Sequence, residues 1–201
     1  MELTLDQFSQ QVPHWYAVWA EANADYFPLE KRLTAKATSK GYLEMSDLVD
    51  ITHALGNPHN VRGRMQRANT ADDVAENTRN AMRNLDNPVQ ALRSICSIKC
   101  WGLTYGSKTL RCMCPREYGA LDSVIICGVD PQYLPSRNNY ERYADFIHLC
   151  RQIRGRVVQP NTAREEGLWF IADIEVALFQ FLWGRANRLL YRGDFVQRLQ
   201  M

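Results

Sequence analysis

Residues 92–125, which read LRSICSIKCWGLTYGSKTLRCMCPREYGALDSVI, contain the segment that decides the predicted fold. Gly102 and Gly106 bracket a short turn, and apolar residues recur at helical spacing on both sides of it. We therefore predict a hairpin of two helices over residues 92–113. The backbone N–H groups that begin the second helix of such a hairpin can bind a phosphate. On spacing alone, an ordinary helical hairpin without a ligand is the more common interpretation.

Helical periodicity extends over nearly the whole chain. Thr4 and Gln7 predict a capping box, and the apolar residues after them share one helix face. Further helix starts are predicted from Ser46, from Thr70 and from Asn87 followed by proline. Only two brief apolar segments, one of them residues 123–129, are compatible with a strand. The sequence predicts an all-α chain of ten or eleven helices, in one domain over residues 1–201, ending in a short helical tail.

Composition excludes several classes of protein. The chain has 201 residues, of which 46% are apolar and 23% charged, so neither a disordered nor a fibrous protein is expected. Its apolar runs are too short or too interrupted to cross a bilayer, and its first residues lack the pattern of a secretory signal, so we expect a cytoplasmic protein. The six cysteines include no Cys-x-x-Cys pair, and we expect no metal or other cofactor.

Charge is unevenly distributed along the chain. Residues 1–61 hold eight acidic and four basic residues, whereas residues 62–201 hold fourteen acidic and twenty basic ones. Nineteen of the 24 basic residues are arginines, which suit bidentate phosphate contacts. Arg62, Arg64 and Arg67 form the densest basic cluster. This pattern is compatible with a nucleic-acid surface, and equally with an arginine-rich solvated surface.

Residues 92–125 resemble the helix-hairpin-helix DNA glycosylase superfamily, the group of endonuclease III, AlkA and 8-oxoguanine glycosylase. Ser94 to Leu110 stand where that family has its hairpin, and residues 121–125, LDSVI, match the aspartate-led helix that follows it. The similarity extends over about residues 30–183, although only Gly102 and Gly106 remain as hairpin glycines. The resemblance implies a two-lobed helical fold with a cleft between the lobes, in which the N-terminal and C-terminal helices share one lobe.

The resemblance also implies a reaction. Asp122 stands at the position of the family's catalytic carboxylate, which stabilises positive charge on the deoxyribose as the bond to the base breaks. Considered without the resemblance, Asp122 is simply the cap of a helix. The lysine that forms a Schiff base in bifunctional members corresponds to a position near residues 103–105, and neither Lys99 nor Lys108 matches it. The resemblance therefore implies a monofunctional glycosylase that leaves an abasic site and has no lyase activity.

The remaining site predictions concern DNA and the extruded base. The implied partner of this chain, which we expect to be a monomer, is double-stranded DNA with a modified base turned out of the helix. The residues predicted to contact DNA are Gly102, Gly106, Ser107, Lys108, Arg62 and Arg64. The aromatic residues predicted to line a base pocket, each with packing in the core as the alternative, are Trp15, Trp19, Tyr105 and Trp169. Asp173 and Glu175 are candidates for a second acid near the site, with a capping or solvated role as the alternative.

The substrate is open at this stage. One hypothesis is a hypermodified cytosine of phage DNA, such as glucosylated hydroxymethylcytosine, which would make the chain an antiviral defence protein. Repair of alkylated or oxidised bases is the rival enzymatic hypothesis. A helix-hairpin-helix protein that only binds DNA, and a protein without a nucleic-acid role, are the alternatives from other classes.

Overall fold

The computed structural model describes residues 4–56, 58–162, 164 and 166–190, and these residues form helices and loops without a strand. The all-α prediction is thereby confirmed, and residues 123–128 are helical. The predicted helical tail lies outside the described residues. The described residues contain ten α-helices: α1 (Leu5–Ala22), α2 (Tyr26–Lys40), α3 (Met45–Leu55), α4 (Val61–Ala68), α5 (Ala71–Arg83), α6 (Pro88–Cys96), α7 (Leu103–Met113), α8 (Ser123–Gly128), α9 (Asn139–Arg154) and α10 (Ile171–Leu190). Two 3₁₀ helices cover Pro58–Asn60 and Pro131–Tyr133.

The local start signals of three helices are confirmed. Thr4, Thr70 and Asn87 each accept a hydrogen bond from a backbone N–H three residues later and so cap α1, α5 and α6. The prediction for Ser46 is wrong, because α3 begins at Met45 and is capped by Glu44. The Glu44 N–H donates to the Asp47 carboxylate at 2.8 Å, which completes a capping box that starts two residues before Ser46.

Helix packing brings the two ends of the described chain together. α1 packs along α10 and also contacts α9, while α8 packs on α10. The middle helices α3 to α7 pack on one another, with α2 lying on α7. Contact between α6 and α9 joins these two groups, and one continuous apolar core runs through them. The pairing of N-terminal with C-terminal helices is the one that the resemblance implies, and the two-lobed arrangement stays a prediction.

The hairpin between α6 and α7 differs from the predicted turn. Gly102 and Gly106 do not bracket it: the connection runs from Ser97 to Gly102, and Gly106 lies inside α7. The left-handed position of the turn is taken by Cys100, with φ 63°. A Cβ atom on Gly106 would lie 2.8 Å from the Sγ of Cys96, so a larger residue there would have to displace this side chain, because α6 and α7 approach closely.

Asn69, which follows α4, fixes the hairpin turn. Its side-chain oxygen accepts the Lys99 N–H at 2.9 Å, and its side-chain nitrogen donates to the Lys99 carbonyl at 3.0 Å. Both backbone groups of one turn residue are therefore satisfied by a single side chain. None of the helices in the described part of the chain is long and apolar enough to span a membrane.

Candidate functional site

Asp122 lies at the start of α8, where its carboxylate accepts the Ile125 N–H at 3.1 Å. The residue is therefore a helix cap, as its sequence position indicates. Burial raises the pKa of the Asp122 carboxyl above its ordinary value, and the N–H groups of Ile125 and Val124 together with the charge of Lys108 oppose that rise. An aspartate that only caps a helix at the surface would carry no such desolvation cost.

The backbone that leads to Asp122 is held by buried side chains from two helices. The Tyr143 hydroxyl of α9 donates to the Gly119 carbonyl at 2.9 Å, and the Ser107 Oγ of α7 accepts the Leu121 N–H at 2.9 Å. Residues 119–122, the Asp122 segment, therefore have their position fixed by hydrogen bonds on both sides of Ala120.

Glu175 of α10 supports the same segment from a third helix. A Cβ atom added to Gly119 would lie 2.7 Å from the Glu175 Cβ, so the backbone at residue 119 rests directly on the stem of that side chain. Glu175 is 5% exposed. The solvated role considered for Glu175 is therefore wrong, and no local pattern in the sequence places this residue beside the Asp122 segment.

Lys108 points into the protein. Its Nζ atom donates to the Leu55 carbonyl at 3.0 Å and lies 5.2 Å from the centre of the Tyr105 ring. Burial lowers the pKa of the Lys108 ammonium, while the negative charges of Asp122 and Glu175 raise it. Lys108 thus belongs to the surroundings of Asp122, a placement that sequence reasoning missed when it assigned this lysine to an outer phosphate contact.

A set of buried charged side chains, the buried charge cluster, lies behind the Asp122 segment. Its members alternate in sign along a path from α10 through α7, α2 and the loop before α10 back to α10, and all but the half-buried Arg164 are buried: Glu175, Arg111, Glu30, Arg164 and Asp173. Arg111 Nε lies 3.2 Å from Glu175 Oε2, and Arg111 Nη2 lies 3.8 Å from Glu30 Oε2. Neither contact is aligned as a hydrogen bond, so the attraction is chiefly that of charge.

Arg164 and Asp173 complete the cluster with better geometry. Two nitrogens of Arg164 donate to the Asp173 carboxylate at 2.6 and 3.2 Å, and a third lies 3.0 Å from Glu30. Asp173 also accepts the Phe170 N–H at 3.0 Å, near the start of α10. The capping alternative for Asp173 is therefore confirmed.

Burial raises the pKa of the Glu175 carboxyl group. Desolvation raises its pKa to about 7, with Arg111 lowering it and Asp122 raising it further. A carboxyl group that changes charge near neutral pH consequently lies next to the candidate catalytic aspartate.

The predicted pocket aromatics pack against other side chains. Trp19 lies edge-on to Tyr26, and Trp169 donates its indole N–H to the Gln159 carbonyl at 2.6 Å. The residues concerned are Trp15, which is half-buried, and Trp19, Tyr105 and Trp169, which are buried. Their packing agrees with the core alternative, and their role in a base pocket stays a prediction.

The residues predicted to contact DNA are not presented together. Gly106 and Ser107 are buried within α7, whereas Gly102 and Arg64 are exposed. Arg62 is half-buried, with Nη1 lying 2.8 Å from Nε2 of His53. The N-terminus of α7 therefore offers Gly102 and the residue after it, not the stretch from Gly106 to Lys108, to a ligand.

An open cleft of about 510 Å³ lies at that N-terminus. Its lining residues include the start of α7 on one side and the start of α9 on the other: Cys96, Gly102, Leu103, Arg137, Asn138, Asn139 and Tyr140. Asp122 does not line this cleft. Two helix N-termini and the guanidinium of an exposed arginine thus face one open volume, which favours a bound anion there.

Comparison of the chain with protein-family models, with curated proteins and with solved structures gives no match. Within the described residues, no group of three or more histidine, cysteine, aspartate or glutamate side chains is placed to hold a metal ion.

The contact between Gly119 and Glu175 predicts that Gly119→Ala destabilises the protein by about 1–3 kcal/mol, because the new methyl group must displace either the Asp122 segment or the Glu175 stem. Gly155→Ala is the matched control, since Gly155 has α-helical backbone angles and no atom lies closer than 3.5 Å to its added Cβ, and it should leave the free energy of unfolding unchanged or raise it by up to about 1 kcal/mol. Urea denaturation of the two variants measures both values. Equal stabilities would show that the segment does not depend on this contact.

Proposed function

We propose that this chain is a DNA glycosylase that hydrolyses the N-glycosidic bond of a modified base and leaves an abasic site. Two observations support the proposal. The sequence of residues 92–125 resembles the helix-hairpin-helix glycosylases, and Asp122, which stands at the position of their catalytic carboxylate, is half-buried at a helix start on a firmly held segment.

The placement of Asp122 is the observation that carries the proposal. A carboxylate in partly desolvated surroundings interacts strongly with a cation, because little water screens the interaction. The Ile125 N–H and the Lys108 ammonium favour its ionised form despite burial. The burial of this group also favours an enzyme over a protein that only binds DNA, because a carboxylate near phosphates weakens binding and its desolvation serves no purpose there.

The reaction that we propose uses this charge directly. As the bond between C1′ and the base nitrogen breaks, its electron pair leaves with the base, which takes up a proton, and positive charge develops on the sugar. The Asp122 carboxylate stabilises that charge. A water oxygen then bonds to C1′, and the proton it loses passes to Asp122 or to solvent. The product is an abasic site in an intact strand.

The cleft between the starts of α7 and α9 is the DNA-backbone contact that we propose. Backbone N–H groups at the two helix starts and the guanidinium of Arg137 suit a phosphate. The Arg93 guanidinium lies over the Tyr140 ring at the rim, 5.3 Å from its centre, and adds positive charge. We propose this cleft instead of the contact predicted at Ser107 and Lys108, because the side chains of those two residues make hydrogen bonds within the protein.

As substrate we propose a hypermodified cytosine of phage DNA, which would give the chain a role in antiviral defence. The hairpin supports a specialised substrate, since it departs from the pattern of repair enzymes and has a non-glycine residue, Cys100, at its left-handed position. Repair of alkylated or oxidised bases is the alternative within the same reaction class.

A lyase step by Lys108 is a second candidate activity, favoured by one observation. The Lys108 amine is close enough to Asp122 for their charges to interact, and burial lowers its pKa, which is the property of Schiff-base lysines. We nevertheless favour hydrolysis alone, because the Lys108 ammonium is already bound to the Leu55 carbonyl and to the Tyr105 ring.

Borohydride trapping separates these two activities. Under the hydrolytic proposal, borohydride added during turnover should trap no covalent complex between the protein and DNA, because no imine forms. A complex that forms with wild-type protein and disappears in Lys108→Ala would establish the lyase step instead. Lys99→Ala is the control, since Lys99 is exposed in the hairpin turn.

The catalytic role predicts that Asp122→Asn lowers the rate of base release by at least ~10²-fold, about 2.7 kcal/mol, because the variant keeps the shape but loses the charge. Asparagine caps helices as well as aspartate does, so the variant should stay folded and bind DNA at least as tightly. Asp130→Asn, which alters another cap aspartate, is the matched control and should excise at the wild-type rate. Single-turnover excision assays measure the rates. Wild-type excision by Asp122→Asn would remove the basis of the proposed function.

A further inference from the structure

We propose that Glu175 is a positioning residue for Asp122, supporting the Asp122 segment through its stem and opposing the charge of Asp122 through its buried carboxyl. The inference rests on the proposed function and deepens it, because it assigns the residue that acts on the catalytic carboxylate from inside the protein. Glu175 does not contact the reacting atoms, since the backbone of the Asp122 segment packs directly on its stem.

The steric part of the proposal follows from the contact at Gly119. The Glu175 Cβ and Cγ atoms lie where any side chain at residue 119 would have to be, at 2.7 and 3.1 Å from an ideal Cβ. The Tyr143 hydroxyl of α9 donates to the Gly119 carbonyl, and the Ser107 hydroxyl of α7 accepts the Leu121 N–H. The backbone before Asp122 is therefore held by side chains of three helices, α7, α9 and α10.

The electrostatic part follows from the charges around Glu175. Among the described residues, Arg111 is the cation within 4 Å of Glu175. Arg111 and Arg164 together face three buried carboxyl groups, those of Glu175, Glu30 and Asp173, so positive charge is in short supply. Lys108 gives additional positive charge from a greater distance, whereas Asp122 opposes the ionised form. The titratable groups that face Glu175 come from α7, the start of α8 and α9: Lys108, Arg111, Cys112, Asp122, Tyr143 and Cys150.

This shortage of positive charge disfavours simultaneous ionisation of Glu175 and Asp122. Because Glu175 is the more deeply buried of the two, it is the one that holds a proton, and Asp122 is left with the negative charge that the reaction needs. The pKa of Glu175, raised to about 7, agrees with this division. As the pH rises through that value, Glu175 ionises and the field at Asp122 becomes more negative.

Carbon-13 NMR titration of side-chain carboxyls in the full chain tests the coupling without any DNA. In the wild type, Glu175 should titrate near pH 7. In Asp122→Asn the neighbouring charge is gone, so Glu175 should titrate at least ~0.5 pH units lower. Asp130→Asn should leave the titration of Glu175 unchanged. An unshifted Glu175 in Asp122→Asn would overturn the proposal.

Hydrogen exchange at the Leu121 N–H, which donates to Ser107 Oγ, tests the support of the segment. Glu175→Gln keeps the side-chain carbons that pack at Gly119 and should retain the protection of Leu121, whereas Glu175→Ala loses the Cγ contact and should lower that protection about tenfold or more. Equal protection in the two variants would contradict a positioning role. The titration and the hydrogen exchange are measured without DNA, so their outcome is independent of base release. Coupling between Glu175 and Asp122 in a protein that releases no base would refute the proposed function and leave the positioning role intact.

Discussion

The interior of this protein is organised by the burial of Arg111, a side chain that keeps its charge at any physiological pH. Removing a guanidinium from water costs several kcal/mol unless carboxylates approach it closely. Glu30 of α2 supplies a carboxylate and the Glu175 carboxyl of α10 lies 3.2 Å from Nε of Arg111, while the rings of Tyr26 and Trp19 cover its faces at 4.4 and 5.2 Å. Three helices that are remote in sequence are therefore bound to one charged group on α7.

The same constraint acts on the candidate site. Arg111 stands in α7 three residues after Lys108, and Glu175 lies against the Asp122 segment, so any change in this charge balance reaches Asp122. The site is thus electrostatically part of the core rather than a set of residues placed on a surface. Such coupling between buried ionisable groups is frequent at catalytic sites, where it sets the protonation state that the reaction requires.

Features that depend on residues close together in the chain could be predicted from the sequence, whereas features that depend on residues far apart in the chain could not. Helix starts at Thr4, Thr70 and Asn87 depend on groups three residues apart, and these predictions are confirmed. Ser46 failed because Glu44 competes for the same cap. Gly106 was assigned to a turn because glycine usually marks one, whereas here it serves the close contact between α6 and α7. The orientation of Lys108 and the burial of Glu175 depend on contacts with distant residues, about which local periodicity contains no information.

Base release is the activity on which the proposed function depends, and one assay tests it most directly. Wild-type protein is incubated with duplex DNAs that each carry one modified base, including glucosylated hydroxymethylcytosine and alkylated and oxidised bases, and each product is analysed with and without alkali. We expect strand breaks at the modified position of at least one duplex only after alkali, because hydrolysis leaves an abasic site in an unbroken strand. Strands that remain intact after alkali across the whole set would contradict the proposed base release.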